Sequence, residues 1–124
     1  MNREIKFRAW DKENEEMYDV AMIDVETGEV AYTDHPTGYN ADALLEQVEL
    51  MQYTGLKDKN GKEIYEGDIL KDCDTREIKT VIWHKNCFIL RDTKGFYQWT
   101  YFEDEHEVIG NIYENSDLLE VENE

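Results

Sequence analysis

The chain has 124 residues, which is enough for one compact domain and too few for a second full catalytic domain beside it. Its content of 40% hydrophobic and 12% aromatic residues can form a core, so the composition differs from that of disordered chains. Thirteen Lys and Arg against 30 Asp and Glu give a net charge of −17. This charge argues against binding of nucleic acid, because affinity for the phosphate backbone comes from cations.

No stretch of the sequence approaches the roughly 18 uninterrupted apolar residues of a membrane span, and the first residues lack the apolar core of a signal peptide. We therefore expect a protein of the cytoplasm that makes no membrane contact. The two cysteines, Cys73 and Cys87, are too few for a disulfide framework and are expected to be reduced thiols.

The charges are distributed in blocks. Residues 13–56 carry eleven acids and no Lys or Arg, and residues 95–124 carry nine acids and no base. Residues 57–94, in contrast, carry nine bases and eight acids. Acidic blocks of this kind most often form solvated faces that keep a protein in solution. The alternative is a DNA-like negative surface that occupies the DNA site of a host protein.

The first third of the chain predicts strands. Residues 4–10 alternate apolar and basic side chains, which predicts a strand with one buried face that includes Ile5. Residues 17–25 and 30–32 are rich in strand-forming side chains and predict a hairpin that turns at Gly28.

One helix is predicted after these strands. Residues 34–39 contain the single proline and predict a loop. Asn40 is then expected to cap a helix that runs through Ala41 to about Leu50. The helix is predicted from an apolar stripe formed by Leu44, Leu45 and Val48.

The rest of the chain predicts hairpins. Asn60-Gly61 lies between two apolar runs, residues 50–55 and 64–65, and is expected to supply the two positive-φ positions of a tight turn. Further strands are predicted at residues 69–71, 78–83, 88–91, 96–102 and 107–113, with turns at residues 66–68 and 92–95. Asn115 is expected to cap a last short helical turn.

These elements indicate a mainly β fold. Five short strands at about ten-residue spacing favour a small SH3-like barrel, because closing the sheet removes its edges. We predict one domain in which residues 1–50 form an N-terminal β-hairpin and short helix and residues 51–113 form the barrel. Residues 114–124 then form a terminal turn and a frayed tail.

Few residues point to catalysis. Cys73, His84, Cys87 and His106 are of types that bind zinc, but their spacing matches no zinc-finger pattern, and no metal ligand is predicted. For a nucleophile and base, Cys87 and His84 form the one local pair, and their three-residue offset is expected to place them on opposite faces.

Acidic residues offer two weaker candidates for a site. Asp68 could be a functional carboxylate, but an Asp that closes a turn on its own backbone is the more common case. Residues 103–107 could hold a cation, although a solvated acidic turn is the usual explanation for such a run. No catalytic residue and no cofactor are predicted.

Aromatic side chains crowd into residues 96–102. On a strand, Tyr97, Trp99 and Tyr101 would share one side, with Phe96 and Phe102 roughly opposite, which is more than one core face needs. Tyr97, Trp99 and Tyr101 are therefore the candidate interface. The alternative is that the N-terminal hairpin and helix bury both sides. Stacking on single-stranded nucleic acid is disfavoured, because residues 95–124 carry no base.

Three blocks of the sequence resemble the YopX family of phage and prophage proteins. They are Phe7–Trp10, the long block Met51–Ile69, which includes Tyr-Thr-Gly-Leu-Lys-Asp, and Val108–Asn115. The resemblance implies a mainly β protein with an SH3-like barrel, assembly as a homo-oligomer, and an origin in a phage or prophage of a low-GC Gram-positive bacterium. It implies no activity, so no site residue is carried over from it.

Together, the sequence predicts a non-enzymatic accessory protein that assembles with itself and engages a host protein as a second partner. The first alternative is an acidic DNA mimic that inhibits a host DNA-binding protein. The second alternative is a small metal-binding protein or enzyme.

Overall fold

The computed structural model describes residues 4–33, 42–98 and 105–120. In these ranges the chain is mainly β, with two antiparallel sheets and two short 3-10 helices, Leu45–Gln47 and Ser116–Leu119. Neither helix is long or apolar enough to cross a membrane. The chain divides into two compact units, Met1–Gln52 and Tyr53–Glu124, which are described in turn.

The first unit is built from antiparallel strands in the order β4-β3-β2-β1-β5. Its strands are β1 Phe7–Asp11, β2 Glu16–Asp24, β3 Glu29–Tyr32, β4 Asp42–Leu44 and the first part of β5, which spans Val48–Lys57. The predicted hairpin with its turn at Gly28 is confirmed, and Gly28 has the positive φ that such a turn requires. The core contains Ala9, Val30, Tyr32 and Val48. Ile5 lies before β1 and is exposed.

The predicted helix over residues 41–50 is wrong. Residues 42–44 instead form β4, which pairs with β3, and one 3-10 turn leads into β5. Leu44 is exposed, while Leu45 and Val48 pack on the first core. Pairing with β3 and β1 satisfies the backbone on both sides of the turn, and this outweighs a local helix preference that rests on three apolar residues. The predicted cap, Asn40, and the loop over residues 34–39 lie outside the described residues.

The second unit has its own core. The second part of β5 pairs with β6 Glu63–Tyr65. A five-stranded sheet follows in the order β10-β9-β8-β7-β11. Its strands are β7 Asp68–Asp72, β8 Ile78–His84, β9 Cys87–Asp92, β10 Tyr97–Gln98 and β11 His106–Asn111. Ile64, Leu70, Val81 and Leu90 form the core of this unit.

The five strands predicted in this region are present, but the SH3-like barrel is not confirmed. Over residues 42–98 and 105–120, no hydrogen-bonded ladder joins the two outer strands of the five-stranded sheet, β10 and β11. The described part of β10 covers only Tyr97–Gln98, and the predicted remainder of that strand lies outside the described residues.

The turn at Asn60-Gly61 differs from its prediction. Gly61 has a positive φ, whereas Asn60 does not. Five residues separate β5 from β6, and the carboxylate of Asp58 organises them by accepting the N–H groups of Asn60 and Lys62. The two-residue turn with two positive φ angles lies instead between β8 and β9, at Lys85 and Asn86.

Three further turns share one six-residue pattern, which begins with Asp and ends with Glu. In each, the Asp carboxylate accepts the N–H groups of the third and fourth residues, and the fifth residue has a positive φ and donates its N–H to the Asp carbonyl. The fourth residue is Asn or Thr. These turns span residues 11–16, 24–29 and 72–77.

The last helical turn follows Asn115, as predicted, but the Asn115 side chain does not cap it. Its Oδ1 accepts the N–H of Asn111 instead. Gly110 makes this possible, because a Cβ at that position would lie 2.5 Å from the same oxygen.

Candidate functional site

The second unit contains a buried charge cluster formed by Lys79, Asp72 and His106. The Lys79 side chain is 4% exposed, and its Nζ lies 3.4 Å from Oδ2 of Asp72 and 3.2 Å from Nε2 of His106. The strands place these groups together, because Asp72 and His106 are opposite one another on β7 and β11. Lys79 enters from β8, on the face that it shares with Leu70 and the core.

The charges in this cluster are matched. Burial raises the pKa of Asp72, but hydrogen bonds from the N–H groups of Thr75 and Asp74 and from the Lys79 ammonium outweigh it and lower the pKa to about 2. An ammonium has no lone pair, so Nε2 of His106 accepts from Lys79 in the ring tautomer that leaves this nitrogen unprotonated. Glu77 adds a more distant carboxylate, 3.8 Å from Nζ.

This arrangement ties β7, β8 and β11 together inside the unit. Its residues are between 3% and 9% exposed, so the cluster acts on the stability of the second unit. The buried charge cluster was not predicted from the sequence. The residue that could have indicated it is Lys79, which lies on the same side of its strand as the apolar Val81.

The low pKa of Asp72 predicts a dependence of stability on pH. Because the folded pKa lies below the ordinary value of 3.8, the carboxylate stabilises the fold above that pH, and its contribution is lost as the pH falls toward 2. We expect the difference in unfolding free energy between wild type and Asp72→Asn to be full at pH 5 and to shrink below pH 4. Urea titrations at stepped pH measure it, with the exposed Asp74→Asn as control. A difference that stays constant down to pH 2 would contradict the role of this carboxylate.

A second feature is a set of exposed rings on the segment from β8 to β10. Trp83 is 53% exposed, Phe96 68% and Tyr97 44%. Trp83 lies edge-on to Phe88, with ring centroids 4.9 Å apart, and the Tyr97 ring lies 4.4 Å from that of His84. Of the predicted interface residues, Tyr97 is therefore solvent-accessible, whereas Trp99 and Tyr101 lie outside the described residues.

The same segment is the basic part of an acidic protein. Residues 78–98, which we call the basic hairpin, contain four cations and a single acid, Asp92. Lys85, Arg91 and Lys94 are exposed, and Asp92 is half-buried. The Asp92 carboxylate accepts the N–H groups of Lys94 and Phe96, so it is directed into its own turn. The basic hairpin thus presents rings and positive charge together, which favours contact with an acidic protein surface.

A groove of about 320 Å³ lies on one face of the basic hairpin. Thr80 on β8, Arg91 on β9 and Tyr97 on β10 form one cross-strand row on this face. The groove is lined by Thr80, Ile82, Arg91, Asp92, Thr93, Ile112 and Leu119. It combines an apolar lining with one guanidinium, one carboxylate and two hydroxyls, all from the second unit.

The structure separates the residues considered as zinc ligands. Cys73 is exposed in the turn after β7, and His106 is in the buried charge cluster. The expectation that His84 and Cys87 face opposite sides is wrong, because a two-residue turn places them directly across from one another. The thiol nevertheless contacts the carbonyl of His84, while the imidazole packs on Tyr97. Across residues 4–33, 42–98 and 105–120, no three His, Cys, Asp or Glu are grouped to hold a metal ion.

The structure also shows where the two acidic candidates for a site lie, in so far as they fall within the described residues. Asp68 is buried and accepts the N–H of Tyr65 at 2.7 Å, so it closes the turn between β6 and β7, the more common of the two cases weighed for it. In the acidic run over residues 103–107, Glu105 is exposed and His106 is buried. Residues 103 and 104 lie outside the described residues.

The comparisons with known proteins concern almost the whole chain. The family model described as YopX protein matches residues 6–120. Among solved structures, the crystal structure of protein EF1440 from Enterococcus faecalis is similar. It is 28% identical, with a TM-score of 0.69, and the match covers 95% of this chain and 99% of that chain. No curated protein matches the sequence.

Proposed function

Because the chain belongs to the YopX protein family and carries exposed rings on a basic hairpin, we propose that it is a self-assembling protein-interaction module. In this proposal it is an accessory protein of a phage or prophage, acts in the host cytoplasm, and has no enzymatic activity of its own. The exposure of Trp83, Phe96 and Tyr97 is the observation that carries the proposal. Large rings of this kind supply most of the binding free energy where proteins associate.

The charge pattern supports the same function. A chain with a net charge of −17 repels its own copies unless opposite charges meet at the contact. The exposed cations Lys85, Arg91 and Lys94 belong to the same hairpin as the rings, and the acidic partner that they need is available on any other copy. The free cysteines Cys73 and Cys87 agree with a reducing compartment. The SH3-like barrel remains part of the proposal for the second unit.

Multi-angle light scattering at two protein concentrations tests this function. We expect wild type to form a particle larger than one chain, and Phe96→Ser to weaken its association. Ile5→Ser is the matched control, because Ile5 is equally exposed and apolar but lies outside the basic hairpin. A strictly monomeric wild type would refute the proposal. Unchanged assembly in both Phe96→Ser and Trp83→Ser would exclude the rings as the contact surface.

A second candidate function, mimicry of DNA, is favoured by the surface charge of the first unit. Nine acids are exposed in its described residues, where Lys12 is the exposed cation. The acids are Glu4, Glu13, Glu15, Glu16, Asp19, Glu26, Glu29, Glu46 and Glu49. A mimic would capture host DNA-binding proteins, and both salt and added duplex DNA would release them. Capture that duplex DNA does not compete with would contradict mimicry.

A further inference from the structure

The groove on the basic hairpin has the properties of a receptor for an acidic turn with an apolar tip. Ile82, Ile112 and Leu119 give it an apolar lining, and Arg91 supplies an exposed positive charge. Lys94, outside this lining, is a second exposed cation of the basic hairpin. The single acid of the groove is Asp92, whose Oδ1 accepts the N–H groups of Lys94 and Phe96 at 3.0 Å each, so this oxygen is directed toward its own loop.

The first unit carries a segment that complements this groove. Val25, at the tip of the β2–β3 turn, is 88% exposed, the highest value among the exposed large apolar residues of the described chain. It is also the one among them with an acid on each side, Asp24 and Glu26. Transfer of a solvent-exposed apolar side chain that lies between two carboxylates to an apolar site beside a cation lowers the free energy.

This turn is already ordered before binding. The Asp24 carboxylate accepts the N–H groups of Glu26 and Thr27, and the Gly28 N–H donates to the Asp24 carbonyl at 2.8 Å. Gly28 provides the positive φ that completes the turn. Because the backbone is held by these hydrogen bonds, docking the turn costs little conformational entropy.

We infer that the groove of one copy binds the β2–β3 turn, residues 24–28, of a second copy. Val25 enters the apolar lining and Glu26 faces Arg91. This inference rests on the proposed function, since it specifies the surface through which the chain assembles. The contact joins two different surfaces, so each copy offers one groove and one turn, and the copies associate head to tail.

Sedimentation velocity on the full chain tests the contact through two variants, Arg91→Glu in the groove and Val25→Ser in the turn. We expect each variant to weaken self-association at least about tenfold, the effect of losing an interface residue that contributes about 1.4 kcal/mol. Lys59→Glu, which reverses an exposed cation of the second unit outside the basic hairpin, is the control and is expected to assemble like wild type. Circular dichroism confirms that all variants are folded.

Mixing the variants gives a sharper result. An Arg91→Glu copy keeps an intact turn, and a Val25→Ser copy keeps an intact groove, so an equimolar mixture should form 1:1 complexes and nothing larger. Combining Arg91→Glu with Glu26→Arg in one chain exchanges the two charges and should restore assembly.

The outcomes separate the two proposals. If wild type assembles and both single variants assemble equally well, the groove-to-turn contact is refuted while self-assembly stands. Failure of the mixture to form a 1:1 complex would also refute the contact. If wild type is monomeric at every concentration, both the contact and the proposed function are refuted.

Discussion

Replacing Lys79 with Met is expected to lower the free energy of unfolding by about 3–5 kcal/mol, the typical cost of removing one partner from a buried ion pair. The substitution keeps most of the aliphatic stem but removes the ammonium that lies 3.4 Å from Asp72 and 3.2 Å from His106. The Asp72 carboxylate then stays inside the unit without its nearest cation. Urea unfolding monitored by circular dichroism measures the loss.

Two further variants show whether the loss comes from the unpaired charge. Lys94→Met removes an exposed cation from the same hairpin and is expected to change stability by less than about 0.5 kcal/mol. Adding Asp72→Asn to Lys79→Met removes the uncompensated carboxylate and should recover part of the loss. If Lys79→Met is as stable as wild type, the cluster does not stabilise the fold.

The second large effect is expected for Asp58→Ala, at about 3 kcal/mol or more, because hydrogen bonds to a charged group each contribute about 1.5–3 kcal/mol. The buried Asp58 carboxylate accepts three backbone N–H groups, those of Asn60, Lys62 and Val108. Burial raises the pKa of this carboxyl, but the three hydrogen bonds outweigh burial and lower it. Thermal and urea unfolding of the variant measure the effect.

Asp24→Ala is the matched control for this variant. The Asp24 carboxylate also accepts backbone N–H groups in a hairpin turn, those of Glu26 and Thr27, but both bonds are exposed and neither leaves the turn. We expect it to cost about 1 kcal/mol, as for loss of an exposed cap. Equal losses in the two variants would mean that the bond to Val108 contributes nothing.

Alternation and turn residues were sufficient to predict most of the strands. The hairpin at Gly28 and the strands that became β7, β8, β9 and β11 follow from period-two patterns and from turn-forming residues, which act locally. The helix over residues 41–50 failed because its apolar spacing was equally compatible with a short strand, a turn and a second strand. Pairing with β3 and β1 decided between them, and such pairing cannot be seen in a local window.

The turn chemistry was only partly predictable. Asn60-Gly61 predicted a tight turn, yet the residue that organises the turn is Asp58. Its carboxylate accepts hydrogen bonds that include one from Val108 on β11, 50 residues away. The Asp-to-Glu pattern of residues 11–16, 24–29 and 72–77 is readable in the sequence once the role of its first carboxylate is known.

The sequence was sufficient to predict an exposed aromatic surface, but not which strands and residues form it. Tyr97 follows from the crowding of rings in residues 96–102, whereas Trp83 reads as part of an ordinary half-buried strand. The buried charge cluster depends on the register of β7 against β8 and β11, which brings together side chains up to 34 residues apart. Register of this kind is set by the whole sheet.

The hydrogen bond from Val108 to Asp58 also affects how the chain folds during its synthesis on the ribosome. Residues 58 and 108 lie near opposite ends of the second unit, so the β5–β6 loop is synthesised long before β11, the strand that completes its hydrogen bonds. Until β11 leaves the exit tunnel, the Asp58 carboxylate lacks one of its three donors and β7 lacks its outer neighbour. The unit therefore reaches its native state only after β11 has been synthesised, through contacts distant in sequence, and its folding should be slow for a domain of this size.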